Sequence, residues 1–284
     1  MRIAVTGASG QIGGEVVRLL AAGQQHEVVA LMRRPPAAGQ FPDSVQARKA
    51  DYADEQALAA ALDGVARLVL VSSDGPVADV IVHHRNVIRA AARRGVAHIV
   101  ALSGLDASLD SPFCYAVGYG YTEQLLAESG CSVSLARASI YTEFFLAFLT
   151  RARASGQLRL PAADGRVSFV SRDDVARSLA ALATAPPASR PQEITGPEAL
   201  DLAALAALAQ KEWATPVEYT PITPPGLVAD LASGGEDPWW IYAYSSMFAS
   251  IRDHRWAAVS ADTERLTGVP PTPVRTILAR HHPA

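Results

Sequence analysis

The chain has 284 residues, with 25 basic against 28 acidic side chains for a formal net charge of −3. That length suits one α/β domain with a smaller appendage, and an apolar share of 49% supplies a large core. A charged share of 19% speaks against disorder, and the near-even balance gives no global attraction to nucleic acid or to anionic membranes.

The first predicted elements alternate in type. Ile3-Ala4-Val5, Val28 to Met32, Leu68 to Val71 and Ile99 to Leu102 are continuous apolar runs, the mark of strands buried on both faces of a parallel sheet. Between them, Ile12, Val16 and Leu19-Leu20 recur at helical spacing, as do Val77, Val80, Ile81, Val87, Ile88 and Ala91. A β-α-β series with right-handed crossovers predicts an α/β fold, a Rossmann-type doubly wound parallel sheet. Val133 to Ala136 continues the pattern, followed by a helix near Glu143 to Ala154, a strand at Val167 to Val170 and a helix from Arg172 to Ala183. Pro186, Pro187 and Pro191 break the chain. Beyond them the expectation is a helix over Leu202 to Trp213, a strand near Val217 to Tyr219, and a loop from Pro221 to Pro225. Helices around Trp239 to Arg252 and from Val274 to His281 follow. Residues 1–140, completed by about 166–186, are expected to form the dinucleotide-binding domain. Residues 187–284 with about 141–165 are expected to form a smaller, mostly helical substrate-binding cap over the sheet's carboxyl edge.

The chemistry-bearing motif opens the chain. Thr6-Gly7-Ala8-Ser9-Gly10-Gln11-Ile12-Gly13-Gly14 joins the first strand to the first helix, with glycines spaced Gly7-x-x-Gly10-x-x-Gly13. Gly7 suits a tight turn, Gly10 a close approach of backbone to a pyrophosphate, and Gly13 close helix–sheet packing. N–H groups at the helix start would face the anion. At the end of the second strand an NAD-preferring fold places an acid; here Met32 is followed by Arg33-Arg34. Guanidinium forks suit a 2′-phosphate, so NADPH is favoured over NADH; an arginine pair on a solvated loop is the plainer alternative. Asp51-Tyr52 is placed either to border the adenine or, for Asp51, to cap a helix.

Cys114 and Cys131 are too few for a disulfide scaffold and lack metal-ligand spacing, and His281-His282 is too short for a metal site, so no metal is expected. No apolar run approaches the ~18 residues of a membrane span. The glycine turn begins too early for a secretory segment, which predicts a cytoplasmic protein. Lysine occurs only at Lys49 and Lys211.

These residues resemble the NmrA-like atypical short-chain dehydrogenases, and within them the quinone oxidoreductases and triphenylmethane-dye reductases. The matching stretches are Ala4 to Gly13, Arg33, Ala50-Asp51-Tyr52, His84 to Ile88, Thr122-Glu123 and Tyr141 to Phe145. The resemblance implies NADPH with its phosphates on Gly7, Ala8, Ser9, Gly10, Gln11 and Ile12, and its 2′-phosphate near Arg33. It further implies a nicotinamide ribose near Ser72, Ser73 and Ser103, and a nicotinamide flanked by Arg137 to Tyr141, including Ala138 and Ser139. The family has Asn where this chain has Ala138, a departure at that contact.

Ordinary short-chain dehydrogenases use Tyr-x-x-x-Lys; this family usually has His and Glu, and here the pair is Tyr119-x-x-x-Glu123. A carboxylate would raise rather than lower a neighbouring tyrosine's pKa. Tyr119 and Ser103 are therefore the catalytic candidates, Tyr119 as a hydrogen-bond or proton donor or else as packing. Hydride transfer to a flat acceptor needs chiefly alignment and exclusion of water. Tyr141, Phe144, Phe145, Trp239 and Trp240 could wall a flat aromatic or quinone-like substrate, or be ordinary core. His84 falls on an apolar helix face, as a core histidine would. The activity expected is NADPH-dependent reduction of a quinone or other flat conjugated acceptor. The alternatives are a non-catalytic NADP(H) redox sensor, or a reductase tailoring an aromatic natural product. A homodimer stays open.

Overall fold

A computed structural model of the chain describes residues 1–281; of the terminal histidine pair, His282 lies outside the described residues. The first half runs β1 (Arg2–Val5), α1 (Gln11–Ala22), β2 (Glu27–Met32), β3 (Val45–Lys49), α2 (Glu55–Ala61), β4 (Arg67–Leu70), α3 (Val77–Arg93) and β5 (His98–Gly104). Then come α4 (Cys114–Ala127), β6 (Ser132–Ala138), α5 (Thr142–Ser155), β7 (Gln157–Leu160), α6 (Arg172–Thr184) and β8 (Gln192–Ile194). The last third holds α7 (Leu202–Trp213), β9 (Glu218–Pro221), α8 (Pro224–Ser233), α9 (Pro238–Arg252), α10 (Asp262–Thr267) and α11 (Val274–Arg280).

Seven strands form one sheet in the order β3-β2-β1-β4-β5-β6-β8, the doubly wound fold expected. Around β1 the pairing is parallel, with Ile3 opposite both Val28 and Arg67. Ile3, Ala4 and Val5 are fully buried, as strands covered on both faces must be. Strand order reverses between β1 and β4, and in such sheets ligands bind beyond the carboxyl ends at the reversal. Thr6 pins that point: its N–H donates to the Val69 carbonyl at 3.0 Å and its Oγ1 accepts from Val71 N–H at 3.0 Å.

Contacts divide the chain into two units. The first comprises Met1–Ser103, Gly118–Arg137 and Asp173–Gln192; the second comprises Gly104–Val117, Ala138–Arg172 and Glu193–Ala284. The first is built on an aliphatic core of Leu58, Leu62, Leu68, Leu70, Val87 and Ile99. The second, mostly helical, centres on Phe145, Phe169, Phe248, Leu149, Leu205 and Trp213, with β7 and β9 as a parallel pair.

Three expectations need correction. Val167 to Val170 is not a ladder strand: Val167 bridges Leu200 antiparallel, Ser168 N–H donates to the Trp256 carbonyl, and Val170 bridges Tyr141 parallel. Each residue takes a different partner, so no ladder propagates, and β8 forms the sheet edge instead. The proline-rich stretch is only partly loop, because Thr223 accepts from Gly226 N–H as the cap of α8 and Pro224 opens the helix, where a missing N–H costs nothing. The helix expected to end at His281 ends at Arg280. Among the described residues no helix is long and apolar enough to cross a membrane, and no cluster of His, Cys, Asp and Glu could hold a metal ion.

Candidate functional site

Gly7 adopts φ +61°, the left-handed region that glycine enters without cost. The turn closes as Gly10 N–H donates to the Gly7 carbonyl at 2.9 Å. A Cβ on Gly13 would stand 2.3 Å from the Gly7 oxygen, so loop and helix pack at a distance only glycine permits. Ala8 is fully buried and its N–H reaches Leu31 O at 3.3 Å, whereas Ser9, Gly10 and Gln11 are exposed. Gly10 offers no side chain to cap α1, which opens at Gln11 and buried Ile12. Positive helix end, glycine turn and exposed rim together suit a pyrophosphate.

The first unit also holds the cofactor candidates Arg33, Arg34, Asp51, Tyr52, Ser72, Ser73 and Ser103. Arg33 and Arg34 follow β2 directly and are exposed, and among the described residues neither forms an ion pair. Asp51 does not cap α2: its Oδ1 accepts from Ala53 N–H at 3.0 Å, and Asp54 takes the cap by accepting from Ala57. Tyr52 points inward, its hydroxyl donating to the Val71 carbonyl at 2.6 Å and lying 3.2 Å from where a Gly7 Cβ would sit. Burial pushes its pKa upward, so it acts as a neutral strut under the loop. Ser72 Oγ donates to Leu102 O at 3.3 Å, and Ser73 Oγ lies 3.1 Å from His83 Nδ1.

His84 is the satisfied core histidine its helix face predicted. Ser73 N–H approaches its Nε2 at 3.3 Å, so the neutral ring carries its proton on Nδ1 and donates to Thr122 Oγ1 at 2.9 Å. Thr122 in turn donates to Gly118 O at 2.8 Å. Burial, then repulsion from His83, lowers the His84 pKa to about 4.

The second candidate pair is only half available. Glu123 accepts from Ser103 Oγ at 2.6 Å and from both Arg137 Nε at 2.9 Å and Nη2 at 2.5 Å. This bidentate clamp ties β5, α4 and β6 together and commits both Ser103 and Glu123. Tyr119 is half-buried one turn before Glu123. Arg137 as the clamp's cation, and Thr6 as the pin of β1 to β4, were not singled out, because each partner lies far away in sequence.

The nicotinamide-side candidates Ala138, Ser139 and Tyr141, and the acceptor candidates, lie in the second unit. Ala138 and Ser139 are buried, their backbone groups bonded to Leu105 and Ile194 and the Ser139 hydroxyl accepting from Ser168. Tyr141 is half-buried at the start of α5, with the Arg172 guanidinium 5.6 Å from its ring centroid. Phe145 must be withdrawn as a wall: it is 0% exposed and packs on Phe169 at 4.8 Å, because its helix face points into the core. Phe144, one position earlier, is half-buried against Phe148 and Tyr244. Trp240 lies between Tyr115 (6.5 Å, 25°) and Tyr244 (5.8 Å, 27°), a stacked series of half-exposed rings. Trp239 meets Tyr115 edge-on, and its buried indole N–H has no hydrogen-bond partner among the described residues. Tyr244 was legible as the i+4 neighbour of Trp240; Tyr115 was not.

Fold and loop thus define a Rossmann-type dinucleotide-binding protein. The chain belongs to the NAD(P)H-binding family, which matches residues 7–186, and within it to the NmrA-like oxidoreductases. It is 36% identical over 236 residues to quinone oxidoreductase 2 of Escherichia coli K12, covering 82% of each chain. Among solved structures it is similar to an NADPH-dependent quinone oxidoreductase from Escherichia coli complexed with NADPH, with TM-score 0.92 and 31% identity over 98% of this chain and 99% of that one. It is also similar to a triphenylmethane reductase from a Citrobacter species, with TM-score 0.89 and 25% identity over 99% of each chain.

Proposed function

We propose that this chain is a cytoplasmic enzyme that oxidises NADPH and passes the hydride to a quinone or another flat conjugated acceptor. The observation that carries the reading is the loop itself: left-handed Gly7, Gly13 against the Gly7 carbonyl, and a first turn of α1 without a side-chain cap. Gly7 to Ile12 would cradle the pyrophosphate through those backbone amides not already bonded within the protein, and Arg33 and Arg34, without an ion pair among the described residues, would take the 2′-phosphate that distinguishes NADPH from NADH. Ser72 and Ser73 would border the ribose. Bound there, the cofactor supplies a hydride.

The protein's contribution is then positioning and dryness. Tyr141, Phe144, Trp239 and Trp240 offer flat apolar surface suited to a planar acceptor. A quinone needs no lysine-assisted phenol to accept a hydride, which accords with a Glu123 committed to Arg137. Tyr119 remains the candidate donor for a reduced oxygen. That same commitment of Glu123 favours a second reading, an NADP(H) sensor without turnover.

A quinone panel with NADPH distinguishes the two. The enzyme reading expects quinone-dependent loss of NADPH absorbance. Binding without turnover, with unequal affinities for NADPH and NADP⁺, would replace it with the sensor.

A further inference from the structure

Arg172 occupies a place that the helix dipole does not favour. It opens α6, a 13-residue helix whose first-turn amides carry partial positive charge, where a cation is disfavoured. Its own backbone N–H donates to both Glu143 carboxylate oxygens, at 3.0 and 3.2 Å, so Glu143 serves the helix end rather than the guanidinium. Among the described residues no carboxylate pairs with that guanidinium, which is half-buried and rests on the Tyr141 ring. Tyr141 follows β6 by three residues, beyond its carboxyl end. It bridges Val170, which brings Arg172 beside it, and its carbonyl accepts from the Phe144 N–H at 3.1 Å. A half-buried cation without a carboxylate partner among the described residues therefore lies over the Tyr141 ring, one of the rings that suit a flat acceptor.

We propose that Arg172 sets the charge preference of the acceptor site, favouring aromatics that carry or acquire negative charge over cationic ones. This rests on the reductase reading and deepens it. A hydride brings two electrons and one proton, so a quinone that accepts it becomes a hydroquinone monoanion, and a proton delivered by Tyr119, itself replenished from solvent, completes the hydroquinone. A fixed guanidinium stabilises charge that appears only as the hydride arrives. A triarylmethane dye is a carbocation, and the same hydride leaves it neutral, so Arg172 has no charge to stabilise and repels the substrate.

The test is binding and turnover of anthraquinone-2-sulfonate and of a cationic triarylmethane dye, by tryptophan quenching and by NADPH oxidation, in wild type, Arg172→Met and Arg172→Lys. The expected result is a ten-fold or greater loss of sulfonate affinity in Arg172→Met, partial rescue by Arg172→Lys, and unchanged or tighter binding of the dye. Equal losses for both ligands, no loss for the sulfonate, or no sulfonate binding by wild type would overturn the proposal. A charge preference that persists in binding while no acceptor is turned over would instead sink the reductase reading alone.

Discussion

A Cβ on Gly13 cannot coexist with the Gly7 carbonyl 2.3 Å away. Gly13→Ala must therefore push helix from loop, at a cost of about 1–3 kcal/mol, and thermal melts should show it together with weakened nucleotide binding. His84 makes a prediction in pH. Its folded pKa of about 4 lies below the unfolded value near 6.5. The unfolded chain thus binds the proton first, and stability falls as pH drops from about 6.5 toward 4, by at most ~1.4 kcal/mol per pH unit. His98, also lowered by burial, acts in the same direction. His84→Gln should flatten this acid limb in melting profiles; an unchanged slope would show that His84 is not the group responsible. Phe145→Ala should cost about 3–5 kcal/mol as a buried cavity while leaving acceptor KM nearly unaltered in the folded fraction. The glycines were legible because their spacing is local, and His84 because its helix face is. Whether Phe145 or Phe144 faced the core was not, since adjacent aromatics differ by 100° of helix and only packing chooses between them.

Elements are held by pairs that the sequence scatters. Glu123 on α4, Arg137 on β6 and Ser103 on β5 form one clamp, with the carboxylate 12% and the guanidinium 29% exposed. Glu123→Gln should destabilise by about 2–3 kcal/mol, because it leaves a partly buried guanidinium half-satisfied. A double-mutant cycle with Arg137→Met should return most of that as coupling; additive losses would mean the two residues act separately. Regular elements with strong periodicity, α7 above all, could be read from the sequence to the residue. The prolines of 221–225 concealed α8, although Thr223 and Pro224 carry a cap and a first-turn proline. Val167 to Val170 reads as a strand because it is a short, largely apolar run, and its three different backbone partners are invisible before folding.

For the whole molecule, a net charge of −3 supplies no general pull on an anionic cofactor, so local groups must do the attracting. Arg33 and Arg34 are the groups proposed for it. Replacing both with Ala should weaken NADPH binding by ten-fold or more, leave NADH binding nearly unchanged, and remove most of the salt dependence of the former. The doubly wound sheet and its cofactor loop were legible from the first hundred residues, whereas the second unit was only outlined, since its aromatic rings meet through long-range packing. The most direct measurement of the central claim is a calorimetric titration of NADPH and of NADH into wild-type protein and Gly13→Ala. NADPH should bind wild type stoichiometrically and at least ten-fold more tightly than NADH, with both weakened in the variant. Wild-type protein that binds neither nucleotide would contradict the account.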